Sequence, residues 1–105
     1  MQESNTEAPY AVTETFNLPL AVGEGKNSKI ALKNTKEAQQ VFHIQVKNSS
    51  LIKVTQTEYT VDPGMPQKLK LEILPQTKAG VYRGYIIVES EHEVVACNEI
   101  VVEVN

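Results

Sequence analysis

Two histidines, one cysteine and thirteen carboxylates carry whatever acid–base or metal chemistry this chain can offer. Glu91-His92-Glu93 sets three ligating residue types in a row. Neighbours on a strand point to opposite faces, and a metal site needs three or four converging ligands, so the triplet reads as a charged turn. His43 falls on the outward register of its segment, with no base or orienting group placed beside it by spacing. The single Cys97 excludes an internal disulfide and any multi-cysteine metal site. No cationic residue stands within its own segment to lower the thiol pKa. Gly23-Glu24-Gly25 is followed by no helical pattern and is not a phosphate loop. Asn48-Ser49-Ser50 matches a glycosylation acceptor, which has meaning only in a secreted chain, and otherwise reads as a turn. The expectation is a chain with no catalytic residue, no metal and no cofactor.

What these residues sit on is a β-rich framework. Of 105 residues, 28 are β-branched. Period-2 alternation returns along the chain with turn residues between the runs. It places inward side chains at Phe16, Leu18 and Leu20, at Ile30 and Leu32, and at Phe42, Ile44 and Val46. Ile52 and Val54 make a short strand. Further inward sets follow at Leu69, Leu71 and Ile73, then Tyr82, Ile86 and Val88, then Ile100, Val102 and Val104. Pro19 makes the first run an edge strand, because proline has no N–H to donate. Asp62-Pro63-Gly64 is a turn in which Pro presets φ and Gly supplies φ > 0. About seven strands and no helix predict an all-β, immunoglobulin-like β-sandwich with Greek-key connections over 13–105. Residues 1–12 read as a flexible leader or linker. Antibody-type domains are excluded, since there is no Trp and no cysteine pair.

Charge is segregated along the chain. All ten basic residues lie between Lys26 and Arg83, a stretch with four acids and a net +6, while both flanks hold acids only. The overall −3 gives no reason to expect nucleic acid, and no apolar run approaches the ~18 residues of a membrane span. In an immunoglobulin-like order the second strand pairs with the fifth, which exposes Lys29, Lys33, Lys68 and Lys70 together as a basic patch suited to an acidic segment. The third, sixth and seventh strands share the other sheet. Its outer face then carries Val41, His43, Tyr85, Ile87 and Val101, an apolar centre rimmed by charge that suits a protein partner or a homodimer. On this reading Tyr85 is the anchor and is exposed.

The order Phe16-x-Leu18, Gly23-x-Gly25-Lys26, Asn34, Phe42-x-Ile44, Tyr59-x-Val61-x-Pro63-Gly64, Leu69-x-Leu71 and Gly80-x-Tyr82-x-Gly84-x-Ile86 resembles the major-sperm-protein and PapD-like branch of immunoglobulin-like domains. Ala21-Val22-Gly23-Glu24-Gly25-Lys26, with Ile30, Asn34 and Phe42-His43, is similar to the carboxy-terminal domain of the nephrocystin-4 family. That resemblance implies a non-catalytic structural module of a scaffold at the base of the cilium or flagellum, in the transition zone, basal body and cytoskeleton. It also implies partners among the nephrocystin-module scaffold proteins, while the charge segregation points to an acidic cytoskeletal segment. Two other readings of the residues stand beside it: a bacterial adhesive or chaperone-like sandwich, and a carbohydrate-binding sandwich. The latter wants aromatic platforms, and Tyr10, Tyr59, Tyr82 and Tyr85 show no cluster in the sequence.

Overall fold

The computed structural model describes residues 9–105, and these contain strands and turns but no helix. Eight strands follow one another: β1 (Glu14–Leu20), β2 (Lys26–Leu32), β3 (Gln40–Lys47), β4 (Ile52–Val54), β5 (Glu58–Val61), β6 (Gln67–Ile73), β7 (Gly80–Ser90) and β8 (Glu93–Val104). Five form one sheet in the order β1-β8-β7-β3-β5, and three form the other in the order β2-β6-β4. The chain changes sheet at every connection except the β7–β8 hairpin. This is the immunoglobulin-like sandwich that the alternation predicts. Of the expected leader at 1–12, residues 1–8 lie outside the described residues.

The inward sets meet between the sheets. Phe42, Ile86 and Ile100 from the large sheet share one buried cluster with Ile30, Leu69 and Ile73 from the small one. Burial of each such side chain contributes ~1.5–3 kcal/mol, most of it offset by the conformational entropy lost on folding. β1 is an edge strand, as Pro19 requires, and pairs in parallel with β8 from Glu14↔Asn98 to Leu20↔Val104. β2 pairs antiparallel with β6, and β3 lies in the same sheet as β7 and β8.

The turns carry the chemistry that their sequences announce. Met65 N–H donates to Asp62 C=O at 3.1 Å across Pro63-Gly64, with Gly64 at φ 72°. The loop after β2 is built on Asn34, whose amide donates to the carbonyls of Ala38 and Val61 at 2.9 and 2.7 Å, while its Oδ1 accepts from Lys36 N–H at 2.9 Å. Asn48 is held in its turn by a hydrogen bond to the Arg83 carbonyl at 2.9 Å. Glu91 and His92 form the whole β7–β8 connection, at φ 55° and 67°. Two left-handed residues match the right-handed twist of a hairpin, a turn more often made by Asn-Gly.

Three features differ from the sequence reading. Glu58–Val61 is a strand in its own right, paired with β3 from Gln40↔Val61 to His43↔Glu58. β8 begins at Glu93, well before the run at 100–104. The cause is a bulge: pairing passes from Val88↔Ala96 to Glu89↔Val94, leaving Val95 without a partner and shifting the alternation by one residue. The third feature is the burial of the large sheet's outer face, described below. Gly84 sits among inward residues because a Cβ there would lie 2.6 Å from Ile52 Cδ1 and 3.0 Å from the Lys47 carbonyl oxygen. The Ile52 side chain fills the space that a larger residue would need.

Candidate functional site

The small sheet turns a basic face outward. Its inward residues are apolar, so period-2 alternation sends Lys29, Lys68 and Lys70 to solvent, and all three are exposed. Lys29 stands directly opposite Lys70 in the β2–β6 ladder. Lys33 follows β2 on the same register and lines a depression with Lys68. The expected group of four is thus brought onto one face.

Lys53 belongs with them. It alternates with the inward pair Ile52 and Val54 on β4 and stands opposite Glu72. With Lys29, Lys70 and Thr55 it lines a shallow cavity of about 570 Å³. Glu72 is the one carboxylate on that lining. Sequence reading left Lys53 out because a three-residue strand gives too short a pattern to assign to a sheet. Its alternation with Ile52 and Val54 was the available signal. Among the described residues none of these five lysines is engaged in an ion pair. The face therefore offers closely spaced ammonium groups on a paired strand ladder, a concentration of positive charge.

The outer face of the large sheet corrects the sequence reading. Val41 and His43 are exposed as expected. Tyr85, Ile87 and Val101 hold the outward register, but Tyr85 is 3% exposed, Ile87 0% and Val101 8%. Tyr85, Ile87 and Cys97 form a small second core, with Val94 packed against it. At Cys97 the cover is the segment that enters β1. Thr13 N–H donates to Cys97 C=O at 2.9 Å, Cys97 N–H donates to Thr13 Oγ1 at 3.1 Å, and the Cys97 thiol meets the backbone of Tyr10. Alternation along one strand reports which face a residue takes and says nothing of chain that crosses that face from elsewhere. The five residues also form no single patch. Val41 and His43 pair toward Thr60 and Glu58 on β5, whereas Tyr85 and Ile87 stand opposite Lys47 and Gln45 farther along β3. An exposed apolar face anchored on Tyr85 is not present.

The ionisable groups of this second core are kept neutral. Burial pushes the Tyr85 phenol above its ordinary pKa, and the hydrogen bond from its Oη to Glu99 at 3.2 Å adds to the shift. Burial also pushes up the Cys97 thiol, opposed by the Tyr10 backbone contact and assisted by the Glu99 charge. A protonated, fully buried thiol is a poor nucleophile. His43 lies 3.7 Å from a Glu58 carboxylate oxygen on the surface. Glu91 in the β7–β8 turn is paired with Lys36 in the loop after β2. Among the described residues no three His, Cys, Asp or Glu side chains are gathered to hold a metal, and no helix is long and apolar enough to cross a membrane.

Two facing sheets, with the first strand laid in parallel along the last, define an immunoglobulin-like β-sandwich of the kind found in major sperm protein and PapD-like domains. The chain belongs to the family described as NPH4 Ig-like domain 4, whose model matches residues 13–104. The fold is similar to that of WR4, an MSP family member of C. elegans, with 16% identity and a TM-score of 0.62 over 87% of this chain and 92% of that one. It is also similar to the seventh PapD-like (ASH) domain of human CEP192, with 15% identity and a TM-score of 0.65 over 87% and 80%. A family 123 glycoside hydrolase from Clostridium perfringens contains a similar sandwich, at 15% identity and a TM-score of 0.72. The chain covers 23% of that enzyme's length, with 87% of its own residues matched. At these identities the likeness is one of fold. No curated protein matches the chain by sequence.

Proposed function

We propose that the domain is a non-catalytic protein-interaction module of a scaffold at the base of the cilium, and that its lysine face takes up an acidic segment of a partner. The observation that carries the reading is the convergence of Lys29, Lys33, Lys53, Lys68 and Lys70 on one sheet face with a single carboxylate, Glu72, among them. Surface lysines that serve solubility alone are normally interspersed with acids. Family membership supports the ciliary setting, and partners of the nephrocystin module fit it. Charge on an exposed face acts over a Debye length of ~10 Å at 0.1 M salt, so the complex weakens as salt rises. The test is recruitment in ciliated cells of the protein with Lys29, Lys33, Lys68 and Lys70 reversed to Glu. Loss of recruitment to the transition zone with the fold retained is expected. Unchanged recruitment and an unchanged set of co-purified partners would overturn the reading.

A further inference from the structure

The lysine face ends at an open strand edge. Among the described residues β2 pairs with β6 alone. The other sheet edges are blunted: β1 carries Pro19, β4 has three residues and β5 has four. β2 runs for seven residues with no proline and no break in its register with β6. Lys70 N–H donates to Tyr59 Oη at 3.4 Å, away from β2. In an antiparallel ladder this marks Lys29↔Lys70 as a pair whose peptide groups face away from each other. Asn27, Lys29 and Ala31 therefore turn their N–H and C=O groups to the open edge.

Beside that edge the sandwich is not closed. A cleft of about 710 Å³ separates β2 from β1, with Phe16, Phe42, Val88 and Ala96 among its apolar walls and Lys29, Lys33 and Lys36 along β2 and the loop after it. Gln40 also lines it and is 6% exposed. Its Nε2 donates to Ser90 Oγ at 2.9 Å, and its Oε1 is buried without a partner. Turning the amide over exchanges the two atoms and still leaves one unpartnered. Buried polar atoms are nearly always satisfied, so this one marks a place where a hydrogen-bonding group is missing.

We infer that the open edge of β2 and the cleft beside it receive an extended partner segment in which apolar and acidic residues alternate. The inference rests on the interaction-module reading and adds where the segment lies and in what conformation. Pairing along β2 satisfies the peptide groups of Asn27, Lys29 and Ala31. Alternate side chains then point into the cleft and toward the lysine face. Apolar residues fill the former, the peptide or side chain above Gln40 meets its free atom, and acids meet Lys29 and Lys33. A second copy of β2 is the poorer occupant, since its KNSKIAL strand brings no carboxylate to Lys29 and Lys33.

The experiment uses the 105-residue chain with three short synthetic peptides: Val alternating with Glu, the same composition without alternation, and Val alternating with Lys. The Val–Glu peptide is expected to bind and to slow hydrogen exchange at the amides of Asn27, Lys29 and Ala31. Ala31→Pro removes one edge N–H and no lysine, and should weaken binding about tenfold, the scale of one lost hydrogen bond. The exchange measurement on the unsubstituted chain stands whether or not that variant folds. Equal binding of the peptide without alternation, or binding that leaves those amides unprotected, overturns the inference and leaves the lysine face as an unstructured charge contact. Failure of the Val–Glu peptide to bind also overturns it. The interaction reading is judged separately, by the recruitment of the lysine-reversed protein.

Discussion

Lys29 and Lys70 face each other across the β2–β6 ladder, both exposed, and among the described residues neither is neutralised by an ion pair. Like charges directly opposite on neighbouring strands are destabilising. The domain keeps an arrangement that works against its own fold, on the face proposed to receive a partner. Lys70→Glu should therefore raise the urea midpoint, by roughly a few tenths of a molar at low ionic strength, with the gain fading at high salt. The same substitution should weaken capture of an acidic partner. A variant that is no more stable at low salt would show that the two ammonium groups already avoid each other.

The second core makes Tyr85 structural. Tyr85→Ala should destabilise the domain by ~2–4 kcal/mol, on the scale expected for Phe42→Ala and Ile86→Ala in the main core. Val41→Ala, on the same face but exposed, should stay within about 0.5 kcal/mol of the parent. Chemical denaturation of the four variants ranks them. A Tyr85→Ala effect no larger than that of Val41→Ala would mean that this face is open after all.

Gly84 and Ile52 form a testable pair. Gly84→Ala places a methyl group against Ile52 Cδ1 and should destabilise by ~1–3 kcal/mol, the usual effect of overpacking. Ile52→Val removes that atom and alone should cost ~0.5–1.5 kcal/mol. The double variant should be more stable than the sum of the two effects implies. Strict additivity in the cycle would place the strain at the Lys47 carbonyl instead.

Tyr85 and Cys97 link stability to alkaline pH. Both folded-state pKa values are raised, so the unfolded chain releases these protons first as pH climbs. The linked stability is fully present below the unfolded values, about 8.5 for Cys and 10 for Tyr, and is lost as pH rises beyond them. Denaturation midpoints should be flat from neutral pH to about 8.5 and fall above it. Cys97→Ala should remove the earlier part of the fall and Tyr85→Phe the later part. Thiol-reactive dye should label Cys97 only as fast as the region opens.

Much of this architecture was legible because period-2 alternation and turn residues are local signals. Phe42, Ile44, Ile86 and Val88 face inward as read, and Lys29, Lys68 and Lys70 face outward. What escaped depends on events at a distance. The bulge at Val95 breaks the alternation through 94–98 and hid the first half of β8. The burial of Tyr85 and Ile87 on the outward register is encoded by no pattern within β7; at their neighbour Cys97 the contacts come from Thr13 and Tyr10, far away in the chain. Lys53 needed the pairing of β4 with β6 before its face could be assigned. Gln40 lies next to a polar stretch with no pattern of its own, and only the cleft beside it gives its unpartnered atom a meaning.

The parallel pairing of β1 with β8 also sets the timing of assembly. Thr13 and Cys97 are 84 residues apart in the chain. At synthesis rates of about 5–20 residues per second, β1 leaves the ribosome roughly 4 to 17 s before the strand it pairs with. Through that interval Phe16, Leu18 and Leu20 have no sheet to join, and each newly made domain presents a waiting apolar strand to any chaperone within reach.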